Sequence, residues 1–118
     1  MAERRFTLLR HDWPFVHLDL LIEDGDACLT WRLAAPPSHV PVAAEAISRH
    51  RLHYLDYEGP VPGGRGSVAR VDRGTAISLS EDHSRFEIVG ETFRGVLTIQ
   101  SSQCTWIAIE DETDHAIA

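Results

Sequence analysis

The sequence predicts an all-β protein, a small and mostly antiparallel β-barrel of about eight short strands with little helix. Three observations carry that reading. Short runs alternate apolar and polar residues with period 2, the pattern of a half-buried strand. Gly, Pro, Asp and Ser break the chain at close spacing and leave few stretches long enough for a helix. A length of 118 residues allows one core and not two, so the strands share it in a single domain over residues 1–118.

Residues 5–11 (RFTLLRH) read as the first strand, and Asp12-Trp13-Pro14 turns the chain. In residues 16–23 (VHLDLLIE), Val16, Leu18, Leu20 and Ile22 point to a core, while His17, Asp19 and Glu23 share the opposite face. Asp24-Gly25-Asp26 is a hairpin signal into a strand at 27–33. Residues 35–41 carry three prolines and form a loop. Residues 42–51 (VAAEAISRHR) are ambiguous: the alanines and Glu45 suit a helix locally, but their place between strands favours an extended run. The segment 59–66 (GPVPGGRG) is an irregular loop, and Gly63-Gly64 within it reads as a plain turn more readily than as a phosphate cradle. Strands follow at 67–71, 75–79, 85–89, 95–100 and 105–110, with breaks at Asp72-Arg73-Gly74, 80–84, 91–94 and 101–103. Residues 111–118 read as a frayed tail.

Composition narrows the function. Eighteen acids against eleven bases leave a charge of −7, which argues against loose, charge-driven binding of nucleic acid. A local basic groove is still open to the chain through Arg10, Arg32, Arg49, Arg51 and Arg65. Cys28 and Cys104 are far apart and neither belongs to a CxxC pair, so two buried free thiols are expected. The N-terminus lacks the apolar run of a signal peptide, and no segment approaches a membrane span. The expectation is a cytoplasmic monomer.

The chemistry concentrates in RHDWPFVHLDLLIE, where His11, His17 and Asp19 fall within nine residues. Two imidazoles and a carboxylate are a common ligand set for a divalent metal. His17 and Asp19 share a strand face, and the preceding strand can bring His11 beside them. Glu23 on the same face is placed to orient a ligand histidine from outside. A second polar group, His50-Arg51-Leu52-His53-Tyr54, matters if it faces the first: His50 and Tyr54 would then serve as donors to a phosphate oxygen or as a proton-transfer pair. His39, His83 and His115, in loop, turn and tail, read as ordinary surface residues.

In their order these pieces resemble the 3′-phosphoesterase domain of bacterial DNA ligase D. That family's signature runs from a histidine to a His-Tyr-Asp-Phe-Arg-Leu-Glu strand and a Ser-Trp pair after a hairpin. An Asp-His-Pro-Leu-Asp-Tyr segment then leads into Phe-Glu-Gly, and Trp-Asp-Arg-Gly-Thr follows. The corresponding stretches here are RHDWPFVHLDLLIE, LTWRL, RHRLHYLDYEGPVPGG, ARVDRGT, FEIVGETFRG and the closing Trp106, spanning about residues 6–110. The chain looks closest to the stand-alone, ligase D N-terminal-like members.

The resemblance implies a β-barrel whose manganese-dependent site trims phosphates and ribonucleotides from nucleic-acid 3′ ends during end joining. It places His11, His17 and Asp19 on the metal ligands, His50 and Tyr54 on the catalytic, phosphate-contacting pair, and Glu23 on the strand-end glutamate. Mn²⁺ is the metal implied, with Zn²⁺ an alternative for the same ligands. The partners implied are nucleic-acid 3′ ends and other end-joining or repair proteins. Three positions depart from the pattern: two phosphate-clamping arginines are Leu21 and Val42 here, and a lysine is Ala35. The glycine-rich loop is also shorter near residues 63–66. Arg10, Arg49, Arg51 and Arg65 are the candidates to replace that phosphate-binding charge. The alternative to an enzyme is a non-catalytic metal-binding or interaction module of a repair assembly. A third reading is a metal-dependent enzyme acting on a small phosphorylated metabolite.

Overall fold

Almost every alternating run in the sequence becomes a strand. The computed structural model describes residues 3–109, so the tail expected at 111–118 lies outside the described residues. Its strands are β1 (Arg4–His11), β2 (His17–Asp24), β3 (Ala27–Leu33), β4 (Val42–Arg51), β5 (Gly59–Pro60), β6 (Ser67–Ser78), β7 (Arg85–Gly90), β8 (Arg94–Gln100) and β9 (Gln103–Ala108). One 3-10 turn, Leu52–Leu55, follows β4. The strands lie in the order β1-β2-β3-β4-β9-β8-β7-β6, and β6 returns to pair with β1. All pairings are antiparallel, so the result is a closed eight-stranded barrel, with β5 a two-residue addition to β6. Residues 42–51, ambiguous in sequence, are strand, the reading their position between strands favours. Among the described residues no helix is long and apolar enough to cross a membrane.

Alternation sorts the side chains into two cores. Phe6, Leu8, Leu18, Leu20, Ile22, Trp31, Leu33, Phe86, Ile88 and Leu97 fill the barrel interior. On the outer face of β1, β2 and β3, a smaller cluster of Leu9, Leu21, Cys28, Leu55 and Val68 is covered by the 3-10 turn and by Val61. Thr7, buried on that face, donates its hydroxyl proton to the Leu55 carbonyl at 2.7 Å and ties the cover down. Val16, expected in the core, is exposed: β2 begins one residue later, and residue 16 belongs to the turn.

The second correction concerns residues 67–79. Asp72-Arg73-Gly74 is not a break but the middle of one long strand, β6. Its turn-like composition has other uses. The Asp72 carboxylate is buried and accepts backbone N–H bonds from Arg73, Glu91, Thr92 and Phe93 at 2.8–3.0 Å. This fastens the β7–β8 turn to β6. Gly74 is required because a Cβ there would lie 2.0 Å from the Val89 carbonyl oxygen. The β1 register slips between Leu8↔Asp72 and Leu9↔Arg70, leaving Val71 as the extra residue of a bulge.

Closure between β4 and β9 is thin. It consists of the pairs Val42↔Cys104 and Ala43↔Gln103, with flanking bonds from Ala44 N–H to the Ser102 carbonyl and from Trp106 N–H to the Ser38 carbonyl.

Candidate metal centre

Three strands carry the centre, and local irregularities aim it. His11 ends β1 and pairs directly with His17, which opens β2; Leu9 pairs with Asp19. The side chains of His11, His17 and Asp19 therefore sit together on the outer face, where ligand atoms of all three come within 4.8 Å of one another. His50 joins them through a bulge. The β3–β4 register shifts between Cys28↔His50 and Thr30↔Ile47, which gives β4 one extra residue and turns His50, not Arg49, to this face. The displaced His50 N–H is taken by the Thr30 hydroxyl oxygen at 3.3 Å.

Each histidine has one ring nitrogen committed to a backbone carbonyl. His11 Nε2 bonds the Arg65 carbonyl at 2.8 Å, His17 Nδ1 the Phe15 carbonyl at 2.8 Å, and His50 Nδ1 the Ser48 carbonyl at 3.1 Å. A carbonyl only accepts, so those nitrogens carry the proton. In the neutral ring the opposite nitrogen is a lone pair, and all three lone pairs turn to Asp19. His17 Nε2 lies 3.1 Å from Asp19 Oδ1, His11 Nδ1 lies 3.4 Å from Oδ2, and His50 Nε2 lies 3.9 Å from Oδ2.

These distances test the fit of a cation. His17 and Asp19 are each 2 % exposed, and His17 Nε2 and Asp19 Oδ1 have no hydrogen-bond partner. Two buried acceptors facing each other repel, and an unpaired buried carboxylate costs several kcal/mol, so the site calls for a shared positive charge. Two neutral imidazoles and a carboxylate with pinned second nitrogens meet that need for a divalent metal. No cysteine takes part: burial raises the Cys28 thiol to about 11 and the Cys104 thiol to about 12.

The residues that hold His11 lie in a loop. Arg65, whose carbonyl receives His11, precedes Gly66, where φ is +72° and an added Cβ would meet Asp12 Oδ1 at 2.2 Å. The Asp12 carboxylate accepts the Ser67 N–H at 2.8 Å, a bond that holds Asp12 below its usual carboxylate range. Asp12 and Gly66 are thus positioning residues that the sequence alone did not single out. Gly63-Gly64 is a plain turn.

Above the centre opens a cleft of about 660 Å³, lined by His11, Asp19, His50, Tyr54 and four arginines: Arg32, Arg49, Arg51 and Arg65. His50 Nε2 comes 3.9 Å from Asp19 Oδ2 and the Tyr54 ring stands 5.9 Å from the His50 ring, so the second polar group faces the first. The structure locates the other expected residues as follows. Arg49 reaches the cleft but pairs with Asp24 at 2.8 Å. Arg51 lies over the Tyr54 ring, 6.0 Å from its centre. Arg65 donates Nε–H to the Pro62 carbonyl at 2.7 Å. Arg10 is a correction: it alternates with His11 on β1, shares its pair position with core-facing Leu18, and stays outside the cleft. Glu23 is another: Arg5 binds its carboxylate at 3.2 Å and holds it below the usual range, and Leu21 separates it from the histidines. Leu21 itself is fully buried in the outer cluster, and Val42 packs on the barrel core.

Arg32, which the sequence offers for a local basic groove but not among the residues replacing the phosphate-binding charge, lines the cleft beside Asp19. The signal was available: a two-residue hairpin pairing Asp24 with Ala27 fixes every earlier pair, and that register sets Arg32 opposite Asp19.

The chain is similar to a DNA end-joining protein. It is 25% identical, over 130 aligned positions, to the multifunctional non-homologous end joining protein LigD of Pseudomonas aeruginosa. The match covers 95% of this chain and 16% of LigD, so the chain spans about a sixth of that relative's length. No family model matches the chain.

Proposed function

We propose that this chain is a divalent-metal-dependent phosphoesterase that removes 3′-phosphate or 3′-ribonucleotide groups from nucleic-acid ends. The observation that carries the reading is the pair of buried, unpartnered atoms His17 Nε2 and Asp19 Oδ1, joined by His11, beside an arginine-lined cleft. The similarity to LigD, whose name states non-homologous end joining, supports DNA repair as the setting and repair proteins as partners. Mn²⁺ is the proposed metal, with Zn²⁺ compatible with the same donors. When bound, the ion supplies Lewis acidity to the phosphoryl oxygens. His50 takes up a second proton at Nε2, its Nδ1–H staying on the Ser48 carbonyl, and as the imidazolium it gives that Nε2 proton to the leaving oxygen. Tyr54 donates its hydroxyl proton to a phosphoryl oxygen from the cleft wall. The local arginines offset the overall charge of −7 where the substrate's phosphate would lie.

The test is release of 3′-phosphate and 3′-ribonucleotide from labelled oligonucleotides with Mn²⁺, comparing wild type with His17→Ala. The expected outcome is turnover by wild type and loss of at least about a hundredfold in the variant. Equal rates in the two proteins, or none in either, reject the enzyme. A second reading has its own observation: Leu21 buries an apolar side chain where the resembled family carries a clamping arginine. A non-catalytic, metal-binding module of a repair assembly would bind Mn²⁺ and release nothing.

A further inference from the structure

We infer that Arg32 is the anion-holding residue of this cleft, supplying from β3 the phosphate contact that Leu21 on β2 cannot make. The inference rests on the phosphoesterase reading and deepens it. Four observations converge on Arg32.

It pairs with Asp19 across β2 and β3, on the same face as the ligands, and side chains at directly paired positions lie about 5 Å apart at Cβ. It is half-buried, while Arg49, Arg51 and Arg65 are exposed at the rim. Its Nε is buried without a hydrogen-bond partner. Among the described residues it forms no ion pair, although Asp19 and Glu45 flank it in the sheet as its paired neighbours on β2 and β4.

A buried, unpaired guanidinium donor is as costly as the unpaired acceptors beside it, and it asks for the opposite ligand. The donor set of the centre suits a cation, and the buried guanidinium of Arg32 suits an anion. A phosphoester bridging the two satisfies both, with one oxygen toward the ligand cluster and others toward the guanidinium fork. Arg32 is also held ready: its guanidinium lies 5.4 Å from the centre of the Phe15 ring, and Phe15 supplies the carbonyl that orients His17. One turn residue therefore positions both a metal ligand and the proposed anion ligand. Arg32 lines a second hollow as well, of about 330 Å³, with Phe15, His17 and Ser102, so the remainder of an ester has room beyond the guanidinium.

The experiment uses Mn²⁺ and inorganic phosphate as probes, with affinities read by Mn²⁺ electron paramagnetic resonance and by calorimetry on the Mn²⁺-loaded protein. Arg32→Gln is expected to bind Mn²⁺ within about twofold of wild type and to lose at least about tenfold in phosphate affinity. Arg32→Lys restores part of that loss, because a point charge replaces the fork. Phosphate affinity unchanged in a variant that binds Mn²⁺ normally overturns the inference, as does an Mn²⁺-loaded wild type that binds no phosphate. If Arg32→Gln does not fold, Glu45→Gln on the exposed strand decides. Removing the competing carboxylate tightens phosphate about threefold if the inference holds, and an unchanged affinity counts against it. Arg32-dependent phosphate binding without release of any 3′ group would instead sink the proposed reaction and leave the anion site standing.

Discussion

At the scale of single residues, the centre stores instability for use by a ligand. Asp19 is a buried carboxylate facing histidine lone pairs, so the metal-free protein carries a cost that a neutral side chain avoids. Asp19→Asn is therefore expected to stabilise the metal-free protein by about 1–3 kcal/mol while abolishing Mn²⁺ binding. Urea midpoints in chelator would show it, and a lower midpoint for the variant would reject the account. The two cysteines give the contrasting case of groups that burial keeps inert. Their raised values mean that the folded state favours the protonated thiol. The stability they add is complete below the ordinary thiol value of 9.0 and declines as pH rises from there toward about 11 for Cys28. Alkylation by iodoacetamide at pH 8 should run at least about a hundredfold slower in the native protein than in urea, and comparable rates would mean the thiols are accessible.

At the scale of elements, irregularities in the strands aim the site and shape the barrel. The β2–β3 hairpin was legible because Asp24-Gly25-Asp26 sets its register, and its strand β3 runs over the residues the alternation marks. The β4 bulge was not legible: nothing in VAAEAISRHR says that His50 and not Arg49 should face Asp19, because the extra residue is accommodated by a hydroxyl on another strand, Thr30. Asp72-Arg73-Gly74 misled for a related reason. Its residues favour turns locally, and the contacts that override them come from the β7–β8 loop, some twenty residues away. Replacing Asp72 by Ala leaves its backbone N–H partners without their acceptor in a buried setting. The expected loss is about 3–5 kcal/mol in chemical denaturation; a loss below about 1 kcal/mol would show that the carboxylate is dispensable.

At the scale of the whole molecule, the barrel and the ligand triplet were readable from period and spacing, while the division of roles among arginines was not. Alternation tells which face a residue takes, but not which carboxylate or carbonyl has already claimed it. Arg49 and Arg65 are engaged elsewhere in part, Arg10 points away, and among the described residues Arg32 forms no ion pair. Leu21 carries the same lesson. The leucine that stands where the resembled family has a clamping arginine seals the outer cluster beneath the 3-10 turn, and an arginine, Arg32, lies on the next strand opposite Asp19.

The ring of strands is also uneven in strength. Its long ladders join β1 to β2 and β6, whereas β4 meets β9 over two residue pairs. Opening that seam breaks few bonds, and β4 carries both His50 and the rim of the cleft. Amide protons of residues 42–44 and 103–104 should therefore exchange with deuterium well before those of β1, and uniform protection around the ring would contradict this. The molecule would then breathe along one side, and the strand that moves would be the one bearing the proposed proton donor. Access to the cleft would be governed there, by a barrel that unzips locally instead of a lid that lifts.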